Sequence, residues 1–303
     1  MRAVLLAGGT GSSKLLRGVQ ALGVDMTVVA NVGDNAWVYG VYVCPDVDIA
    51  CYALAGISDR AKGWGIRGDS FQTLSQLARV GVETWFRLGD RDLANCLART
   101  QMLREGRTLT EATEVLADRL GVGCAVLPAC DEPVQTVVST PRGELGLQEF
   151  WVREKGRPRV LGVRYAGADR ARPPAGIREA VRLADVVVVC PANPVTSIGP
   201  TLAIPGYSRL LRSARRVVAL SPMVGDCPFS GPAGKLMRAT GVQPSSLGVA
   251  KLYSGFADVL VIAGEDSGMV PEIRRLGLDC VTADTRMGGP SDEVRVAREV
   301  LSV

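Results

Sequence analysis

The first 23 residues read as a strand, a glycine-rich turn and a helix, which is the opening unit of a doubly wound α/β fold. Residues 3–6 form an apolar run, typical of a strand buried on both faces of a parallel sheet. Leucine and valine at helical spacing then predict a helix that ends at Gly23. Between them, Gly8, Gly9 and Gly11 allow close backbone approach and positive φ. We therefore expect an anion, most naturally a phosphate, at the start of this helix.

The turn satisfies neither of the two common glycine motifs. The dinucleotide motif G-x-G-x-x-G needs a small residue where Lys14 stands, and a P-loop needs Gly-Lys followed by Ser or Thr. An NAD(P)-dependent oxidoreductase, with Asp34 about 20 residues past the turn and near a ribose, is one alternative, and Lys14 argues against it. A tight strand–helix turn that binds no ligand is another.

Charge and hydropathy limit the possible partners. The 303 residues carry a net charge of +4 without a basic block, so we expect no nucleic-acid partner. The apolar runs are shorter than the roughly 20 residues of a membrane helix, so we expect no membrane partner. No signal peptide precedes the first strand, which predicts a cytoplasmic location.

The chain contains no histidine and eight scattered cysteines without a Cys-x-x-Cys pair. The first fact excludes Ser-His-Asp and Cys-His catalysis, histidine-ligated metals and a phosphohistidine intermediate. The second predicts buried free thiols rather than disulfides or zinc ligands. Any chemistry must therefore use carboxylates, Lys or Arg, hydroxyls, backbone dipoles or a hard metal ion.

Two acidic segments lie close behind the opening unit. The predicted second strand, residues 26–30, leads to Asp34, which places that carboxylate beside the glycine turn. If residues 45–48 are extended, Asp46 and Asp48 point the same way. Such a group of carboxylates suits magnesium, although a solvated Pro-Asp turn is an equal alternative.

Residues 53–120 read as a mainly helical insertion, with a capping box at Thr108 and Glu111. Trp64, Phe71, Trp85 and Phe86 lie within it and could cover a flat ring system, although a core role is the more ordinary reading.

The remaining chain returns to strands. A Pro-Arg-Gly turn at 141–143 predicts a β-hairpin between residues 134–139 and 144–152, and residues 153–174 read as a loop or linker. Buried strands are predicted at 185–190, 216–220, 259–262 and 279–282, each followed by a polar loop. Residues 231–235 offer a second, weaker anion loop.

Together these patterns predict a Rossmann-like, doubly wound α/β fold with a mostly parallel sheet, a mainly helical insertion and a β-hairpin. The expected core comprises residues 1–52 and 121–303, and residues 53–120 would contribute to an acceptor site.

Several short motifs, taken together and in order, resemble the 2-phospho-L-lactate transferase family over nearly the whole chain. They are Gly8-Gly9-Thr10-Gly11 with Lys14-Leu15-Leu16, Asn31-Val32-Gly33-Asp34, Pro45-Asp46-Val47-Asp48, Gly63-Trp64-Gly65, Leu88-Gly89-Asp90-Arg91-Asp92-Leu93, Gln148-Glu149, Asn193-Pro194 with Ser197-Ile198-Gly199-Pro200, Ser221-Pro222, and Gly231-Pro232-Ala233 with Lys235-Leu236-Met237.

The resemblance implies an enzyme of coenzyme F-420 biosynthesis, usually a homodimer. Such an enzyme transfers a phosphoryl-linked three-carbon acid from a guanosine diphosphate adduct to the ribityl hydroxyl of the deazariboflavin FO and releases GMP, assisted by Mg²⁺. Phosphoryl transfer depends mostly on alignment and charge neutralisation, which suits a chain without histidine.

The resemblance also assigns residues. Asp34, Asp48 and Arg91 would be catalytic, with Asp34 and Asp48 holding the metal. FO would contact Asp48, Trp64 and Arg91. The guanosine diphosphate part would be held by Gly8, Gly9, Thr10, Gly11, Lys14, Asn193 and Ser197. On this basis Asp48→Asn should reduce turnover severely and leave the fold intact.

The chain departs from the family pattern at Asn35, Tyr39, Ile49, Asn95 and Cys96, and at Ala192 before Asn193. A nucleotide-sugar-binding regulatory protein of a related sister family is the non-enzymatic alternative. The natural donor, lactyl, enolpyruvyl or glyceryl, is not identified by any motif.

Overall fold

A computed structural model describes residues 1–225, 227–228 and 233–303. Within these residues the strands are β1 Arg2–Ala7, β2 Asp25–Ala30, β3 Ala36–Val38, β4 Val41–Val43, β5 Ala125–Pro128, β6 Gln135–Thr140, β7 Gly143–Gly146, β8 Gly162–Ala166, β9 Val186–Val189, β10 Val217–Leu220, β11 Met223–Val224, β12 Cys227–Pro228, β13 Val259–Ala263 and β14 Asp279–Ala283. The α-helices are α1 Gly9–Ala21, α2 Pro45–Leu54, α3 Gln72–Arg79, α4 Asp90–Arg104, α5 Leu109–Arg119, α6 Ala175–Leu183, α7 Gly199–Ala203, α8 Tyr207–Arg212, α9 Ala233–Ala239, α10 Ser246–Tyr253, α11 Val270–Arg275 and α12 Pro290–Ser302.

A seven-stranded sheet in the order β14-β13-β10-β9-β1-β2-β5 forms the centre of the protein, and its pairings are all parallel. The direction of winding reverses between β1 and β9, so the crevice at their carboxyl ends is the switch point where such sheets bind ligands. The β9 and β10 side chains are all buried because helices cover both faces of the sheet. The predicted Rossmann-like parallel sheet is thus confirmed.

A three-stranded antiparallel sheet, β7-β6-β8, stands apart from the parallel one. The predicted hairpin turn at 141–143 is correct, but β7 is shorter than expected and leads to a π-helical turn, Glu149–Arg153. The interpretation of residues 153–174 as a linker is wrong in part, because β8 pairs with β6 there. The alternating pattern of β8 is weak, since its residues are half-buried or exposed.

Residues 53–120 contain α3, α4 and α5, and the capping box at Thr108 is confirmed. The segments 55–71 and 80–89 are not helical, so the insertion is less helical than predicted. The exact division into a core and an insertion stays a prediction. None of the helices in the described part of the chain is long and apolar enough to cross a bilayer.

Asp90, in the first turn of α4, caps the start of α3, and Asp69, from the segment before α3, caps the start of α4. Asp90 accepts hydrogen bonds from the amides of Gln72 and Thr73, each 2.9 Å long, and Asp69 accepts those of Arg91 and Asp92 at 2.9 and 3.1 Å. This exchange satisfies amides that have no partner within their own helices. It fixes the insertion segment on both sides of residues 80–88, of which residues 86–88 line the cavity described below.

Candidate active site

The glycine turn brings α1 against the loop that follows β9. A Cβ on Gly8 would stand 2.6 Å from Cβ of Ser197 and 2.8 Å from a carboxylate oxygen of Asp46. Gly9 has φ +67°, whereas Gly11 is needed because a side chain there would strike the carbonyl of Pro191. Of the three glycines expected to allow positive φ, only Gly9 adopts it. The glycine pattern therefore has a packing reason at Gly8 and Gly11 and a conformational one at Gly9.

The start of α1 already binds an acidic side chain of the protein itself, Asp46. The amide of Gly9 donates a 2.7 Å hydrogen bond to Oδ1 of Asp46. Asp46 lies in the first turn of α2, after Pro45 at the first helical position. The expectation that residues 45–48 are extended is thus wrong, and Asp46 and Asp48 point to different partners.

Asn31 joins Asp34 to Asp46. Its Nδ2 donates to Oδ1 of Asp34 at 3.1 Å, to Oδ2 of Asp46 at 2.8 Å and to the carbonyl of Thr196 at 3.1 Å. Its Oδ1 accepts the amide of Gly33 at 3.0 Å. One amide side chain therefore holds two carboxylates together beside the loop after β9.

The two carboxylates are held with too little compensating charge. Burial raises the pKa of Asp46 to about 6, although hydrogen bonds from Asn31 and Gly9 oppose the shift. Burial and the neighbouring Asp46 raise the pKa of Asp34 well above its usual value. No Lys or Arg forms an ion pair with either carboxylate within the residues that the structure describes. A bound cation would relieve this repulsion.

Asp48 is paired differently. Arg99, from α4, donates from Nη1 to Oδ2 at 3.1 Å and from Nη2 to Oδ1, so both carboxylate oxygens are engaged. Both side chains are buried, and Arg99 is 1% exposed. The pair also raises the pKa of the arginine, against the effect of its burial.

A second buried carboxyl, Asp92, lies close to Asp48. The hydroxyl of Tyr52 donates to its Oδ1 at 2.7 Å, and Asn95 donates to that hydroxyl at 3.0 Å. Burial, followed by the charge of Asp48, raises the pKa of Asp92 to about 7. Ligand atoms of Asp48, Asp92 and Cys96 lie within 4.8 Å of one another. A thiol and an arginine-bound carboxylate make this group a poor magnesium site.

A cavity of about 360 Å³ extends from the glycine turn into the insertion. Its polar lining includes the carboxyls of Asp46, Asp48 and Asp92 together with the helix start at Gly9 and Thr10. The rest of the lining is largely apolar and aromatic: Val43, Pro45, Ile49, Tyr52, Gly63, Trp64, Gly65, Phe86, Arg87, Leu88, Gln148, Trp151 and Val152. The cavity therefore joins a region suited to phosphate and metal to a region suited to a flat ring.

Several predicted site residues have other partners in this structure. The Lys14 ammonium donates to the carbonyl of Met287 at 2.8 Å. Asn193 accepts from the amides of Val195 and Thr196 at 3.0 and 3.4 Å and so caps the turn that contains Ser197. Arg91 is exposed, donates to the carbonyl of Arg67 at 3.4 Å and does not line the cavity. Their roles stay predictions.

Of the remaining predicted residues, Gly8, Gly9, Thr10, Gly11 and Ser197 gather at the switch point with Asp34 close by, and Trp64 and Asp48 line the cavity. The second anion loop, 231–235, lies partly outside the described residues.

Sequence reasoning did not select Asn31, Arg87 or Arg99. Asn31 follows β2 directly, and a polar residue at a strand's carboxyl end is a usable signal. Arg99 carries no such signal, because arginine within a helix is usually solvated.

The chain matches a known protein family along nearly its whole length. A family model described as "2-phospho-L-lactate transferase CofD" matches residues 3–299. A 2-phospho-L-lactate transferase from Methanopyrus kandleri is 44% identical, with 100% of this chain and 97% of that protein covered. A phosphoenolpyruvate transferase from Streptomyces griseus is 39% identical, with 100% and 98% covered.

A crystal structure of a UPF0052 family member from Bacillus halodurans has the same fold, with a TM-score of 0.66 and 18% identity over 99% of this chain and 98% of that one. The fold, the full-length family match and the identity to two kinds of phospho-acid transferase agree, and the chain belongs to the 2-phospho-L-lactate transferase family as a transferase enzyme.

Proposed function

We propose that this transferase moves a phospho-lactyl, phosphoenolpyruvyl or phosphoglyceryl group from a guanosine diphosphate adduct to the ribityl hydroxyl of FO, with release of GMP, in coenzyme F-420 biosynthesis. The observation that carries the proposal is the single cavity shared by Asp46, the helix start at Gly9 and an aromatic wall. A two-substrate phosphoryl transfer to a flat, apolar acceptor needs these features in one space.

The diphosphate is expected at the switch point. The start of α1 already attracts a carboxylate, and Gly8 allows Ser197 to approach within contact distance. The helix dipole and backbone amides favour a phosphate for the same reason that they favour Asp46. The guanosine would then lie along the carboxyl ends of β9 and β10, as nucleotides do in doubly wound sheets.

Asp34 and Asp46 are the residues that fit a magnesium ion. They share one hydrogen-bond donor, and each is destabilised in its charged form by burial. Magnesium favours one or two carboxylates together with water and substrate phosphates. When bound, the ion would neutralise charge on the phosphate that is transferred. Asp48 was the residue predicted from the sequence as second ligand, and its pairing with Arg99 favours Asp46 in that role.

The chain also offers a site for the proton of the acceptor hydroxyl. Of the three carboxyls that line the cavity, Asp46 and Asp48 have both oxygens engaged. Asp92 has one oxygen bound by Tyr52. We assign proton acceptance to its other oxygen, Oδ2, because a pKa near neutrality is the optimum for a general base.

The proposal is tested by offering FO together with each of the three guanylylated acids and Mg²⁺, and by identifying the products by mass spectrometry. We expect one phosphodiester of FO and one equivalent of GMP. If no donor is used and a UDP-sugar binds tightly without turnover, the protein is a regulatory binding protein instead. NAD(P) binding with hydride transfer would favour the oxidoreductase alternative.

The same proposal includes a cytoplasmic homodimer. The seven cysteines described by the structure are all free, and six of them are buried, which is typical of a reducing compartment. Sedimentation at micromolar concentrations checks the oligomeric state, and a monomer there would contradict it.

A further inference from the structure

The described residues that line the cavity include one cationic side chain, Arg87. It is exposed and makes no ion pair or hydrogen bond with any residue that the structure describes. Its guanidinium carbon lies 4.6 Å from the centre of the Phe71 ring. Stacking on an aromatic face orients an arginine while its N–H edge stays available. Arg87 is therefore held in place without a polar partner.

Arg87 extends the aromatic wall. Phe71 lies edge-on to Trp64, with 6.5 Å between ring centres, and Trp64, Phe86 and Trp151 line the cavity beside Arg87. A ligand ring placed against this wall would have the free N–H edge of Arg87 within reach.

Apart from Arg87, the charged residues that line the cavity are acidic, and the lysine close to the aromatic wall is paired. Lys62 lies 5.7 Å from the centres of the Trp64 and Phe71 rings, but Asp59 pairs with it at 3.0 Å. The remaining ionisable lining groups are Asp46, Asp48, Asp92 and Tyr52. An anionic group on the ring is therefore favoured beside Arg87 and disfavoured beside the carboxyls.

We propose, on the basis of the proposed function, that Arg87 is a specificity-determining residue that binds the ionised ring hydroxyl of the acceptor. FO carries a hydroxyl that is conjugated through its ring to a pyrimidinedione carbonyl, which makes it a vinylogous acid with a delocalised anion. A planar guanidinium suits such an oxygen. The ribityl chain would then extend towards Asp46 and the glycine turn.

The test compares wild type with R87Q, which removes the charge and keeps a planar polar group. R79Q is the matched control, because Arg79 is an exposed arginine at the end of α3 that does not line the cavity. The absorbance of bound FO is recorded against pH, and its affinity is measured by fluorescence. In wild type we expect the midpoint for ionisation of bound FO to lie below that of free FO. In R87Q the midpoint should rise to or above the free value, with affinity about tenfold weaker.

A second ligand sharpens the test. Wild type should prefer FO over the 5-deazariboflavin analogue that lacks the ring hydroxyl, R87Q should bind the two about equally, and R87K should restore part of the preference. If R87Q keeps the wild-type midpoint for ionisation of bound FO and the wild-type preference for FO over the analogue, the proposed role of Arg87 is overturned. Failure of wild type to bind or use FO would instead overturn the proposed function.

Discussion

Substitution of Asp48 should affect stability as well as catalysis. The sequence alone predicts that Asp48→Asn leaves the fold intact. In the structure, both oxygens of Asp48 are bound by Arg99, which is 1% exposed. The substitution would leave a buried guanidinium without its counter-charge. Loss of one partner of a buried pair typically costs about 3–5 kcal/mol.

The expected change in melting temperature follows from chain size. An unfolding entropy of about 2.1 cal/mol/K per residue, over 303 residues, gives about 0.64 kcal/mol/K. A loss of about 3–5 kcal/mol should therefore lower Tm by roughly 5–8 °C if unfolding is two-state.

Circular dichroism melts of three variants measure this effect. E144Q is the control. Glu144 and Arg164 also form a bidentate pair, but both of their side chains are about half exposed. Such a pair contributes at most about 1 kcal/mol. D48N/R99M removes both charges and should recover most of the loss. If D48N and E144Q have the same Tm, the prediction that an unpaired buried charge destabilises D48N is refuted. Turnover of D48N must be compared well below its Tm.

Three further predictions concern the metal, the glycine turn and the insertion. The raised pKa of Asp46 adds stability to the folded state that is present below the usual value of 3.8 and is lost as pH rises through about 6, where the buried carboxyl ionises. Mg²⁺ bound to the ionised carboxylate should offset this loss, so it should raise Tm more at about pH 7.5 than at about pH 5. Scanning fluorimetry checks this, and a gain that is independent of pH, or one that D46N retains, would contradict it. G8A should lower kcat/KM at least tenfold, since its Cβ would displace Ser197 and Asp46, whereas G123A has open space and should remain near wild type in steady-state assays. T108A should lower the free energy of unfolding measured with denaturant by about 1 kcal/mol and leave turnover unchanged, because Thr108 caps α5. A severe loss of activity would contradict this and would show that loss of one cap disturbs the whole insertion.

The parallel sheet was predictable because its central strands are short apolar runs. Residues 186–189 are four valines, a β-branched run that is too short for a helix of ordinary length. Strand β8 was missed because its sequence, Gly-Val-Arg-Tyr-Ala, alternates weakly and lies in a polar stretch. Only its pairing with β6 makes it a strand.

The acidic motif shows how two local signals compete. Proline followed by aspartate is typical of a turn, but it is equally typical of the first turn of a helix. The structure shows the first turn of a helix, which the sequence analysis did not consider, so Asp46 reaches Gly9 while Asp48 reaches Arg99, 51 residues later. The opposed directions of the two carboxylates could not be predicted without that partner.

The link from Asn31 to the carbonyl of Thr196 spans 165 positions. This contact exists because β1 lies between two strands: it pairs with β2, the next strand in the chain, and also with β9. During synthesis, the amino-terminal segment must therefore wait for roughly two thirds of the polypeptide before its carboxylates acquire their final surroundings, and long-range closure of this kind slows folding. A fragment that ends before β9 would keep every aspartate of this region and still lack the crevice in which they act.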